Sequence, residues 1–190
     1  AVKIGMLFNA EIVEAVAAMM KKTNPGNIVL DPVMISKSGD NLLRRDCVDV
    51  LRTLLIPLAT IVTPNIPEAE ELTGIQVLDK RSMEKAAHYI LDMGAQSVIM
   101  KGGHMEGDPI DYFFDGENSI ELVSKRIETK NTHGTGCTFS SAVAANLALG
   151  KNLEASTRIA QSYVHDSIDP GFSIGSGHGP LNHFSKFWDM

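Results

Sequence analysis

The stretch Asn131-Thr132-His133-Gly134-Thr135-Gly136-Cys137-Thr138-Phe139-Ser140-Ser141 sets two glycines among small polar residues and runs straight into an apolar helical pattern. Phe139, Ala142, Val143, Asn146 and Leu147 recur in steps of three and four, which lays them on one face of a helix. A tight glycine turn therefore feeds the N-terminus of a buried helix. Such an end carries backbone N–H groups without intrahelical partners, and the positive pole of the helix dipole. It suits a phosphate or a developing anion. Cys137 falls in the first turn, where the same field favours thiolate over thiol. A second reading stays open at this point: an ordinary turn capped by Thr132 or Thr135, with Cys137 as small filler.

Working outward, apolar runs and amphipathic segments alternate. Residues 2–7 predict a strand. Residues 11–22 predict a helix with Ile12, Ala15, Val16 and Met19 on one face. Asn24-Pro25-Gly26-Asn27 is a turn. The strand at 28–30 ends at Asp31-Pro32, and the polar loop Ser36-Lys37-Ser38-Gly39-Asp40 follows. A helix over 45–55 stops near Pro57, and a strand over 60–63 ends at Pro64-Asn65. A short helix over 67–72 is closed by Gly74. The next helix starts at Ser82, with Glu84 and Lys85 in its first turn, and ends at Gly94. The strand at 97–100 ends at Lys101-Gly102-Gly103.

This alternation predicts an α/β fold with a mostly parallel sheet and right-handed crossovers. Strands that are apolar throughout predict helices on both faces. Segments 111–114 and 120–127 differ. No helix separates them, and Asp115-Gly116-Glu117-Asn118 makes a turn, so an antiparallel hairpin is expected at one sheet edge. After the glycine turn come a helix to about 149, a second helix over 153–167, a glycine-rich loop over 169–179 and a last short helix over 181–188.

Composition narrows the function. A chain of 190 residues suits one domain with a real core, and 44% apolar residues argue against disorder. The net charge is −6 and no basic block occurs, which disfavours nucleic acid and anionic membranes as partners. The two cysteines, Cys47 and Cys137, carry no disulfide framework or paired metal motif, as fits a reducing cytoplasm. No apolar run reaches membrane-spanning length and no signal peptide is visible.

Ligands of open α/β sheets bind outside the carboxyl ends of the strands. Met6, Asp31, Asn65 and Lys101 all fall at such ends, and the glycine turn opens its helix toward the same rim. Asn65-Ile66-Pro67-Glu68 reads as a capping box, with Asn65 at the cap, Glu68 three residues on and Pro67 in the first turn. Asp31 reads either as a turn former or as a carboxylate beside an anion site. His88 is expected on a helix surface. His104 and His133 flank the glycine loops, but no histidine spacing suggests zinc.

Gly134-Thr135-Gly136-Cys137 resembles the anion-hole motif of ribokinase-like small-molecule kinases. Cysteine at the last position is similar to the hydroxymethylpyrimidine/phosphomethylpyrimidine kinase branch, and to a few pyridoxal kinases of that branch. The tail Gly177-His178-Gly179-Pro180-Leu181-Asn182-His183-Phe184 resembles the end of the same branch. The resemblance implies a ribokinase-like fold and ATP-dependent phosphorylation of 4-amino-5-hydroxymethyl-2-methylpyrimidine and its monophosphate, with Mg²⁺. It gives Gly134, Thr135, Gly136 and Cys137 to catalysis, with Cys137 as the base. It gives Lys101, Asn65, Glu68 and Thr132 to the nucleotide, Asp31 and Glu68 to the metal side, and Met6 to the pyrimidine pocket. In that reading the Asn65 cap leaves Glu68 free to point elsewhere. A homodimer is a family expectation. The chain begins at Ala1 inside an expected strand, so it reads as one kinase domain over 1–190 lacking its N-terminal part. Two rivals stay open: a pyridoxal/pyridoxine kinase, and a non-catalytic pyrimidine-binding module.

Overall fold

The computed structural model describes residues 1–34, 47–103, 107–168, 174, 176–185 and 187. The polar loop at Ser36–Asp40, the first residues expected in the helix over 45–55, and His104 lie outside the described residues. Six strands form one sheet: β1 Val2–Ile4, β2 Ile28–Leu30, β3 Ile61–Val62, β4 Val98–Met100, β5 Ile110–Phe114 and β6 Ser119–Val123. Their spatial order is their chain order. β1 to β4 are parallel, and β4, β5 and β6 pair antiparallel, with the hairpin at the edge.

That order explains the layers. Right-handed crossovers between parallel strands taken in sequence put every connecting helix on one face. The helices are α1 Ala10–Thr23, α2 Val48–Leu54, α3 Ile66–Thr73 and α4 Lys80–Asp92. A core forms on their side from Leu30, Val62, Val98, Met100 and Phe114 against Val13, Leu51, Leu72 and Ile90. The hairpin returns the chain to the opposite face, where α5 Thr135–Ala148 and α6 Leu153–Ile168 follow. There Val29, Ile61, Ile99 and Phe113 pack on Phe139, Val143, Leu147 and Ala160. Alternate residues of one apolar strand thus feed two cores.

The fold moves several local expectations. β1 stops at Ile4, so Gly5 and Met6 lie beyond it. The buried face of α1 holds Val13 and Ala17, backed by Val16 and Met20, while Ile12 and Met19 are exposed. Two overlapping apolar stripes fit this helix, and the sheet took the one shifted by a residue from the stripe expected. α4 starts at Lys80 because Asp79 caps it. Ser82 is the reciprocal partner in that capping box rather than the first residue. α2 ends at Leu54, and a 3-10 turn over Ile56–Leu58 carries the chain through Pro57. The tail near Leu181 is turn, not helix, among the described residues. It is pinned by Asn182 N–H donating to Ser167 O and by His133 N–H donating to Gly179 O.

Candidate active site

Four strand ends and two helix starts make one rim. β2 delivers Asp31, whose carboxylate is buried. Its Oδ1 accepts from Lys101 Nζ at 3.1 Å and Thr63 Oγ1 at 3.3 Å. Its Oδ2 accepts from Ser140 Oγ of α5 at 3.0 Å and faces Lys3 Nζ at 3.5 Å. A buried charge is tolerated only when paired and hydrogen-bonded, and here the pairing is complete. Burial pushes the Asp31 carboxyl up, but the Lys101 and Lys3 ammonium groups outweigh it and hold it below the usual carboxylate range. Burial likewise opposes charge on Lys101, yet Asp31 and Glu68 raise it above an ordinary lysine. Lys3 was not among the sequence candidates. The available signal was a lysine between Val2 and Ile4, inside a strand otherwise apolar.

α5 begins at Gly134, which adopts φ 86° and makes no side-chain cap. Gly134, not Thr132 or Thr135, occupies the cap position. Thr135 already lies inside the helix, and its hydroxyl donates to Thr132 O at 3.2 Å. A glycine cap has no side chain to turn back on the N–H groups. An ideal Cβ placed on Gly136 would lie 3.1 Å from Lys101 Nζ, so the lysine ammonium stands against the first turn of α5. Cys137 is in that turn and exposed. The helix field that favours thiolate is opposed here: the partial burial of the sulfur and then Asp31 push the thiol up, and Lys3 and Lys101 only partly offset them. Desolvation and a nearby carboxylate together outweigh the partial charge of a helix end.

α3 starts beside Lys101. Asn65 and Lys101 form a parallel bridge, and Lys101 N–H donates to Pro64 O at 2.8 Å. The capping box is complete: Asn65 Oδ1 accepts from Glu68 N–H at 2.9 Å, and Glu68 Oε2 accepts from Asn65 N–H at 2.8 Å. Glu68 therefore turns back on its own helix instead of pointing elsewhere. Burial raises its pKa to about 7, against the pull of Lys101 and of the Asn65 backbone. Beyond Lys101, Gly102 N–H donates to Asp111 Oδ1 at 2.9 Å. Any side chain on Gly102 would collide with Ile110 O.

Asp31, Asn65, Glu68, Lys101 and Gly134 to Cys137 thus meet at one rim. Met6 lies just past the end of β1 and is exposed, which excludes a core role among the described residues. Among the described residues, no group of three or more His, Cys, Asp or Glu could hold a metal. Both oxygens of Asp31 are engaged by protein donors, so Asp31 as arranged is not an open ligand. Magnesium favours oxygen ligands, retains waters and commonly travels with phosphates. Glu68 is likewise buried and spends Oε2 on the Asn65 N–H, so as arranged neither carboxylate is an open ligand, and an ion here would be held through its waters. A cleft of about 440 Å³ lined by Arg52, Leu72, Thr73, Gly74, Tyr89 and Asp92 lies at the C-terminal ends of α3 and α4, away from this rim. No described helix is long and apolar enough to cross a membrane.

The sequence profile described as Phosphomethylpyrimidine kinase matches residues 1–182. The chain is 49% identical over 190 residues to the thiamine biosynthesis bifunctional protein ThiED of Geobacter sulfurreducens, covering 100% of this chain and 39% of that protein. It is 44% identical over 187 residues to the hydroxymethylpyrimidine/phosphomethylpyrimidine kinase of Bacillus subtilis, covering 97% of this chain and 69% of that one. The crystal structure of an ADP complex of Bacillus subtilis pyridoxal kinase superposes with a TM-score of 0.91 at 36% identity, over 98% of this chain and 71% of that chain.

Proposed function

This chain belongs to the phosphomethylpyrimidine kinase family, and on that premise we propose that the whole protein moves the γ-phosphoryl group of ATP onto 4-amino-5-hydroxymethyl-2-methylpyrimidine and then onto its monophosphate, in thiamin biosynthesis. The observation that carries this reading is the Lys101 ammonium against Gly136, at a helix start whose cap residue is a glycine. Phosphoryl transfer asks the protein for positioning and charge stabilisation. The N–H groups of Gly134 to Cys137 hold the oxygens of the moving phosphoryl, and Lys101 neutralises them from the side. Thr132 lies on the loop entering that turn and borders the nucleotide. Met6 lies at the end of the rim where the pyrimidine ring would sit.

Cys137, as thiolate, takes the proton from the attacking hydroxyl. Its thiol is held above the ordinary value, so the competent fraction, and the rate, rise with pH. A magnesium ion, when bound with ATP, neutralises phosphate charge. Glu68 and Asn65 would hold its waters, leaving Asp31 to fix the lysines. Cytoplasmic residence and a homodimer belong to the same reading.

The test is ATP consumption by the full-length protein with the hydroxymethylpyrimidine, its monophosphate, pyridoxine and pyridoxal. Fastest turnover on the pyrimidines is expected. Fastest turnover on pyridoxal would favour the second reading, which the likeness to a pyridoxal kinase supports. Calorimetric binding of a pyrimidine without ATP consumption would make the protein a non-catalytic module.

A further inference from the structure

The phosphoryl site contains a second lysine that the chemistry above does not use. Lys3 Nζ lies 3.5 Å from Asp31 Oδ2, while Lys101 Nζ lies 3.1 Å from Oδ1. The two ammonium groups divide one carboxylate between its oxygens. A single lysine on a buried aspartate makes a closed, neutral pair with little left to offer an anion. Two lysines on one aspartate leave one positive charge in excess whenever Glu68, which also faces Lys101 and is raised to about 7, is protonated. That excess sits beside the positive end of α5, because Ser140 ties Asp31 to this helix and Lys101 touches its first turn.

The backbone makes room for both lysines in the same way. An ideal Cβ on Gly136 would lie 3.1 Å from Lys101 Nζ, and one on Gly5 would lie 2.5 Å from Lys3 Nζ. Gly5 does not have the positive φ that would demand glycine for its backbone alone. The space beside it is filled by the end of Lys3.

We propose that Lys3 is a positioning residue of the phosphoryl-transfer site, holding one oxygen of Asp31 so that Lys101 keeps its place and its charge is not cancelled. The inference rests on the kinase reading above. Lys3 acts through Asp31 and is not assigned a contact with substrate.

The test compares four variants of the full-length protein by steady-state kinetics with ATP and the hydroxymethylpyrimidine. Lys3→Met should lower kcat at least about tenfold, with a smaller change in KM for ATP, since charge on the moving phosphoryl matters most in the transition state. Lys3→Arg should recover most of the loss. Gly5→Ala keeps the charge but forces the ammonium aside, and only the flexible end of a side chain must move. It should cost kcat about threefold or more with an unchanged melting midpoint. That variant also serves if Lys3→Met fails to fold. Lys101→Ala is the control for the site itself. A kcat within about twofold of wild type for both folded Lys3→Met and Gly5→Ala, with Lys101→Ala impaired, overturns the role of Lys3. An unimpaired Lys101→Ala overturns the kinase site.

Discussion

Two helices begin on the same rim and end their backbones differently. α3 closes itself, with the Asn65 side chain taking the Glu68 N–H and the Glu68 side chain taking the Asn65 N–H. α5 opens on Gly134 with no side-chain cap, and a lysine ammonium stands against its first turn. A helix whose first N–H groups are satisfied internally gains stability and gives up affinity for outside anions. A helix started by glycine does the reverse. The pair separates a helix start that spends its N–H groups on its own side chains from one that leaves a glycine cap beside a buried cation, where an anion can be held.

The comparison breaks most completely if Lys101 is removed. Lys101→Ala should lower kcat/KM for ATP by about 10²–10³-fold, the usual scale for one preorganised charge-stabilising donor, read by steady-state kinetics. Giving α5 the kind of cap α3 has is the next test. Gly134→Asp places a carboxylate where it competes with phosphate for the same N–H groups, and should reduce kcat/KM by about 10²-fold. Aspartate tolerates a left-handed φ better than most residues, and circular dichroism should show a folded protein. Cys137→Ala should reduce kcat by at least about tenfold while ATP binding, read by calorimetry, survives.

Asn65→Ala sharpens the other side. It should cost about 1 kcal/mol of stability, as loss of an N-cap does, and lower the melting midpoint by roughly 2–4 °C. The smallest effect concerns the thiol. The rate of Cys137 alkylation plotted against pH should inflect above the value of a free cysteine, because burial and Asp31 raise it. Asp31→Asn should move the inflection down. An inflection below the free value would restore the thiolate that a helix start alone would give.

The layers were legible in the sequence because β2, β3 and β4 are apolar on every residue, and because segments 111–114 and 120–127 are joined by a turn with no intervening helix. The rim was legible because Asp31, Asn65 and Lys101 each follow an apolar run directly. What could not be read is how those groups meet. Local pattern says that Asp31 ends a strand. It does not say that Lys3 and Lys101, 98 positions apart by their numbers, share its two oxygens. Nor does it weigh desolvation and a nearby carboxylate against a helix dipole, which is why the Cys137 thiol went the other way. The face of α1 was missed for a simpler reason. Ile12 and Val13 begin two stripes of equal quality, and only the docked sheet chooses.

Spatial order equal to chain order has a consequence for how the molecule comes together. Among the described strands none is inserted between two that precede it in sequence, so each can dock on the edge just completed. Among these six strands, pairing can therefore follow the order in which a ribosome releases them. Only the hairpin of β5 and β6 closes over a short turn; each parallel step must close a whole crossover first, which makes those steps the slow ones. Asp31 has its partners Lys101 and Ser140 only once β4 and α5 are in place, so this rim cannot be whole before they are.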